Sequence, residues 1–235
     1  MIAGLQKMTL LDYPGKVACT VFLQGCNFRC PFCHNSGLLG GGAQQEIPEE
    51  ELLAFLAKRK GILDGVCITG GEPTLYPQLR SLLEKIKALG YAVKLDTNGS
   101  RPQVLKALVA EGLVDYVAMD IKNAPERYAV TAGIPDMQLE AVEESIRFLL
   151  AENVDYEFRT TVVQEFHDPA AMESVVGWLR RLDARYPAKR FYLQPYVDRE
   201  SVLARGLHAP QEEITRKMAE KLGEIARTVS IRTMD

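Results

Sequence analysis

Short runs of β-branched and apolar residues alternate along this chain with segments whose leucines recur at helical spacing. Val17-Ala18-Cys19-Thr20-Val21-Phe22-Leu23 reads as a first strand, and Val66-Cys67-Ile68-Thr69 as a second. Ala92 to Thr97, Val114 to Ile121, Val154 to Val163 and Arg190 to Leu193 complete a set of six, with Val229 to Arg232 as a short closing strand. Between them, Ile47-Pro48-Glu49-Glu50-Glu51 opens a helix, with Pro near the first position and acids in the first turn. Leu79, Leu82, Leu83, Ile86 and Leu89 mark a second helix that Gly90 closes. Further helices are predicted around Val104 to Val109, over Leu139 to Leu150, around Trp178 and Leu179, and over Glu212 to Thr228.

Strands that alternate with helices of this length imply right-handed β-α-β units and a parallel sheet. The pattern allows an open doubly wound sheet or a partial barrel, and in both the chemistry gathers where strands end. The unusual polar clusters of this sequence all fall at such ends. The pattern shows no linker or repeat, so residues 1–235 read as a single domain, with Gly40-Gly41-Gly42 as a mobile loop.

Composition narrows the picture. Lys and Arg total 28 against 31 Asp and Glu, a net charge of −3, which gives no basic surplus for nucleic acid. The first residues lack the apolar core of a signal peptide, and runs such as Val17 to Leu23 are too short to span a bilayer. The five cysteines are an odd number, and three of them crowd between positions 26 and 33. In a chain of this kind such crowding reads as metal ligation in a reducing cytoplasm rather than as disulfides.

Cys26-Asn27-Phe28-Arg29-Cys30-Pro31-Phe32-Cys33 separates its thiols by three and then two residues. Three cysteines in one loop reach three irons of a cubane cluster and leave the fourth without a protein ligand. Electron-transfer cubanes take four cysteines. An iron left open is a binding position, by the logic of an open catalytic zinc site. The alternative is a non-catalytic zinc module, with His34, Cys19 or Cys67 as the fourth ligand. Cys19 and Cys67 sit inside apolar strands, where a free thiol behaves as a small hydrophobe.

The cysteine spacing, with the aromatic Phe32 before the third thiol, resembles that of the radical S-adenosylmethionine superfamily. The flanking Phe22-Leu23-Gln24-Gly25 and His34-Asn35 resemble its glycyl-radical-enzyme activating enzymes. The opening Ile2-Ala3-Gly4-Leu5-Gln6-Lys7 and Asp12-Tyr13-Pro14-Gly15-Lys16 are most similar to the anaerobic ribonucleoside-triphosphate reductase activating proteins. The resemblance implies a partial (β/α)6 barrel that carries a [4Fe-4S] cluster on Cys26, Cys30 and Cys33. It further implies S-adenosylmethionine on the open iron, cleaved by one electron to methionine and a 5′-deoxyadenosyl radical. That radical would take a hydrogen atom from a backbone glycine of a partner, an anaerobic ribonucleotide reductase. An electron donor such as flavodoxin or ferredoxin would supply the cluster. The alternatives are another glycyl radical enzyme as partner, such as pyruvate formate-lyase, or a different substrate within the superfamily.

The same resemblance assigns the strand-end clusters. Phe32 and His34 would contact the adenine side of the cofactor, although Phe32 also suits a core position. Thr69-Gly70-Gly71-Glu72-Pro73 resembles the motif for the cofactor's amino group. Its glycines let backbone approach a ligand and Glu72 accepts from the ammonium; a turn with a solvated Glu is the plain alternative. Asp96, Thr97 and Asn98 would line the cofactor site, and in relatives the equivalent Asp and Thr help to hold a monovalent cation. Asp120 and Lys122 resemble the family's Asp-x-Lys, so that Asp120 would join the polar shell of the cofactor site and Lys122 would reach cofactor or substrate, with a simple buried ion pair as the alternative. Arg159 would meet the methionine carboxylate or, equally, a neighbouring acid. Leu193-Gln194-Pro195-Tyr196 resembles a Leu-Pro-Tyr-His segment of pyruvate formate-lyase activating enzymes, but Val197 stands where that His would be. Asp12 matches a residue that faces the target peptide in relatives. His167, His208 and Trp178 belong to no pattern.

Overall fold

β-branched and aromatic residues in runs of five to eight form strands because they pack on a pleated surface, and the amphipathic segments between them cover one of its faces. The computed structural model describes residues 1–40, 46–185 and 187–232, so Gly41 and Gly42 of the expected loop lie outside the described residues. Its strands are β1 (Ile2–Thr9), β2 (Ala18–Leu23), β3 (Gly65–Gly70), β4 (Ala92–Thr97), β5 (Tyr116–Asp120), β6 (Asp155–Val162), β7 (Phe191–Pro195) and β8 (Val229–Ile231). The helices are α1 (Glu49–Lys58), α2 (Leu79–Ala88), α3 (Pro102–Ala110), α4 (Pro125–Ala132), α5 (Glu140–Leu150), α6 (Pro169–Leu182) and α7 (Glu212–Leu222). The strands follow one another in the sheet in sequence order. The described residues fall into two compact units. The first comprises 1–27, 37–97 and 101–118; the second comprises 28–36, 98–100 and 119–235.

In the first unit β1 runs antiparallel to β2, while β2, β3 and β4 are parallel to one another. Side chains alternate across the strands, so this sheet has two different faces. Cys19, Val21 and Leu23 of β2 share one with Val66 and Ile68 of β3 and Val93 and Leu95 of β4, all essentially inaccessible. Leu79, Leu82, Leu83 and Ile86 of α2 are buried too, and α2 packs on β4 and against α1. Each such side chain contributes about 1.5–3 kcal/mol. The opposite face is polar along its middle: the register aligns Thr20, Cys67 and Lys94 in one row. Tyr13, its ring centre 5.9 Å from that of Tyr116 in a tilted pair and packed on Ala18, fills its N-terminal end.

In the second unit β6, β7 and β8 are parallel. Tyr156, Phe158, Phe191 and Leu193 form its apolar face, with Phe158 5.1 Å from Tyr156 and 6.1 Å from Phe191. Met172, Val175, Val176 and Leu179 of α6 and Met218 and Leu222 of α7 are buried, and the two helices pack together. Asp168 caps α6 by accepting from the Ala171 N–H at 2.8 Å, and Pro169 follows at the first helical position. The other face is polar again. Glu157, fully buried, accepts two bonds from Arg232 at 3.0 and 3.1 Å, and the guanidinium lies 3.4 Å from the Tyr192 ring centre.

Three expectations change. β1 was not anticipated, because Gln6, Lys7 and Met8 give it an exposed edge rather than an apolar run. The helix α4 was missed as well. The last helix ends at Leu222 rather than Thr228, as Gly223 leads into a chain of turns in which Ile225 N–H donates to Leu222 at 3.0 Å.

Candidate functional site

The first unit holds the entrance of the cysteine loop. Gly25 N–H donates to the Leu38 carbonyl at 2.7 Å, and its own carbonyl accepts from Glu72 N–H at 2.7 Å. This lacing explains the two glycines that end β3. Gly70 has φ +125°, and a Cβ there would lie 2.2 Å from the Leu23 oxygen. A Cβ on Gly71 would lie 2.1 Å from the Gly25 oxygen and 3.2 Å from Cys26 Cβ. The close backbone approach read from the sequence is therefore an approach to the cysteine loop itself.

Glu72 is 1% exposed, so the reading of a solvated turn residue is overturned. Its Oε1 accepts from Thr74 N–H at 3.1 Å, Thr74 Oγ1 at 2.5 Å and Thr97 Oγ1 at 2.8 Å. Thr97 of β4 thus joins the Glu72 carboxylate, while Asp96 points to the polar row. The Asp96 Oδ1 accepts from the Lys94 ammonium and, at 3.7 Å, from the Cys67 thiol. Lys94 carries no spacing signature and was not singled out; its position two residues before Asp96 on one face of a strand was the signal available. Asp12 accepts from Thr20 Oγ1 at 2.5 Å, which fixes its carboxylate at the edge of the same polar face.

The second unit holds the rest of the loop. Arg29 N–H donates to the Ala132 carbonyl at the end of α4 at 2.8 Å, and Cys30 Sγ lies 3.8 Å from the same oxygen. Gly133, in the left-handed region at φ +66°, ends the helix, and a Cβ there would lie 2.1 Å from the Arg29 oxygen. Burial pushes the Cys30 thiol up, with the Lys122 charge acting in the opposite sense. Cys33 N–H donates to the Cys30 carbonyl at 3.1 Å, closing a tight turn.

Phe32 is buried between Phe166 and His167, ring centres 6.0 and 6.1 Å away, so its position is a core one. His34 stacks on Tyr196 at 5.6 Å, and its Nε2 meets the Val197 carbonyl at 2.8 Å. Position 197 therefore engages His34 through backbone, which a Val supplies as well as a His. Burial lowers the His34 pKa. The segment after β7 continues to grip the loop: Ser201 Oγ donates to the His34 carbonyl at 2.7 Å and Ala204 N–H to that of Pro31 at 2.9 Å.

Asp120, at the end of β5, accepts from Lys122 Nζ at 2.9 Å and from Arg159 Nε at 3.1 Å. Burial alone would lower the Lys122 pKa, but Asp120, with Cys30, outweighs it and holds the ammonium charged. The sequence-predicted Asp-x-Lys and Arg159 are thus brought together around one carboxylate. Asn98 is buried and its Oδ1 accepts from Ser100 N–H at 2.9 Å, a turn-forming role. His167 is a core residue bonded to the Lys122 carbonyl at 2.8 Å, His208 pairs with Glu165 at the surface, and Trp178 donates to Glu143.

Cys19, on the apolar face, has its thiol pushed up to about 12 by burial and is a core residue. Cys67 lies on the opposite, polar face. Among the described residues no three His, Cys, Asp or Glu side chains gather to hold a single metal ion, and no helix is long and apolar enough to cross a membrane.

A Methanocaldococcus jannaschii protein, provisionally named a glycyl-radical enzyme activating enzyme, is 29% identical over 243 residues, spanning all of this chain and 97% of its own. A 7-carboxy-7-deazaguanine synthase of Koribacter versatilis is 31% identical over 169 residues, 71% of this chain and 69% of its own. Among solved structures, a domain of pyruvate-formate lyase-activating enzyme from Bacteroides vulgatus superposes with a TM-score of 0.57 at 20% identity, covering 72% of this chain and 98% of that one. The α/β fold with its parallel-dominated sheet is thus the partial-barrel fold of such proteins. Residues 20–174 match the Radical SAM superfamily, and the chain belongs to that superfamily, whose members use a [4Fe-4S] cluster and S-adenosylmethionine.

Proposed function

We propose that this protein is a glycyl-radical-enzyme activating enzyme whose partner is an anaerobic ribonucleotide reductase. The observation that carries the reading is similarity along the whole length of this chain to the M. jannaschii protein. In this reading Cys26, Cys30 and Cys33 hold the cluster. The donor set fits: the three thiols sit on one loop that backbone bonds tie down at Gly25, before the first thiol, and at Arg29, before the second, and the Lys122 charge eases formation of the Cys30 thiolate against the effect of burial. When bound, cluster and cofactor supply the one-electron cleavage that yields a 5′-deoxyadenosyl radical.

The chain's own residues bind and orient. Glu72, already fixed by Thr74 and Thr97, presents a buried carboxylate suited to an ammonium group. Arg159, aligned by Asp120, suits a carboxylate, and His34, held by Val197 and Tyr196, presents an imidazole beside Cys33 for the adenine. Gly70, Gly71 and Asn98 act by setting the backbone on which these groups stand. Asp12, braced by Thr20, faces the target peptide.

The test is to mix the reduced, reconstituted enzyme with S-adenosylmethionine and candidate reductase, then record electron paramagnetic resonance spectra. A glycyl radical doublet is expected with the reductase, and pyruvate formate-lyase serves as the competing partner. A second reading, a small-molecule substrate, is favoured by the similarity to the deazaguanine synthase. Deoxyadenosine formed without a doublet on any glycyl radical enzyme would select it.

A further inference from the structure

The expected monovalent cation beside Asp96 meets a competitor in the chain itself. Lys94 lies two residues before Asp96 on the same face of β4, is 1% exposed, and its ammonium contacts Asp96 Oδ1. The Asp96 side chain keeps 14% of its surface accessible. The Cys67 thiol, paired across the register with Lys94, stands 3.8 Å from Nζ and 3.7 Å from the same carboxylate oxygen. With its stem enclosed, Lys94 cannot carry its charge out to water. A buried ammonium is tolerated only when paired, because desolvation costs several kcal/mol that a carboxylate at contact must offset. The pair is therefore a fixed part of this face and not an occasional surface contact.

An ammonium and a small alkali ion do the same electrostatic work on a carboxylate: each is a compact single positive charge satisfied by oxygen. We propose that Lys94 is the tethered monovalent cation of this site, so that cofactor binding needs no sodium or potassium ion on Asp96. The proposal rests on the reading above that Asp96 borders the cofactor. Lys94 acts on Asp96 and is a positioning residue.

The test measures S-adenosylmethionine affinity of the reconstituted holoprotein by equilibrium dialysis, with tetramethylammonium, sodium or potassium as the sole buffer cation. Tetramethylammonium is too large to sit on a buried carboxylate. The wild-type affinity is expected to agree within about twofold in all three. Lys94→Met should lose about tenfold or more in tetramethylammonium and recover most of it when potassium or ammonium ion is added. Lys94→Arg, which keeps the charge, should bind without added cation.

A wild-type affinity that rises about tenfold on adding sodium or potassium would overturn the proposal, as would Lys94→Met binding normally in tetramethylammonium. A Lys94→Met loss that no small cation repairs would reduce the residue to a structural strut and overturn it too. If Lys94→Met does not fold, the wild-type series decides alone. Absence of cofactor binding in every buffer would instead refute the functional reading on which the proposal stands.

Discussion

Two points of the cysteine loop are fastened by the same device in different settings. At the entrance, in the first unit, Gly71 closes against the Gly25 carbonyl at the end of a parallel strand. Midway along, in the second unit, Gly133 closes against the Arg29 carbonyl at the end of a helix. In both a missing side chain lets a backbone oxygen approach to where a Cβ would be. They differ in how far the fastening residue lies along the chain and in what else it must do. Gly71 belongs to a motif that a reader notices, whereas Gly133 must also adopt a left-handed conformation and lies over a hundred residues from the thiol it supports.

That contrast can be broken most forcefully at Gly133. Gly133→Ala adds left-handed strain of about 1–2 kcal/mol to overpacking of about 1–3 kcal/mol, so a loss near 3 kcal/mol is expected in urea melts of the apoprotein. Gly71→Ala carries overpacking alone and should lose about 1–3 kcal/mol. A harmless Gly133→Ala, or a loss smaller than that of Gly71→Ala, would show that the loop is not held at Arg29 as described. The smallest effect belongs to Ser201→Ala, which removes one exposed bond to the His34 carbonyl and should cost no more than about 1 kcal/mol. It should also leave cluster content unchanged, which iron analysis reads; a loss of iron would make the segment after β7 a stronger anchor than either glycine.

The same contrast explains what could be read from the sequence. β4 was legible to the residue, because Ala92 to Thr97 is bounded by Gly90-Tyr91 on one side and Asn98-Gly99 on the other. The first-unit motif Gly70-Gly71-Glu72 was legible as a cluster, but not its reason: periodicity cannot say that the space a glycine leaves is filled by chain rather than by ligand. α4 escaped because its buried side chains are only Tyr128, Thr131 and Ala132, too few for a hydrophobic stripe, although Pro125 and Gly133 punctuate it correctly. Lys94 escaped for the opposite reason. It sits within a well-formed strand, where its alternation with Val93 and Leu95 reads as a polar outer face until the register shows Cys67 beside it. Phe32 shows the limit of spacing: the pattern singles out the residue before the third cysteine but cannot say that its ring packs against Phe166 and His167.

The account turns on a loop of three thiols that together leave one iron of a cubane to the cofactor. The most direct measurement is the electron paramagnetic resonance spectrum of the reduced, anaerobically reconstituted protein, before and after S-adenosylmethionine, for wild type and Cys30→Ala. The wild-type signal should shift on addition, and the variant should retain its fold but hold no stable cluster. An intact signal in Cys30→Ala, or a wild-type signal that the cofactor does not perturb, would contradict the account.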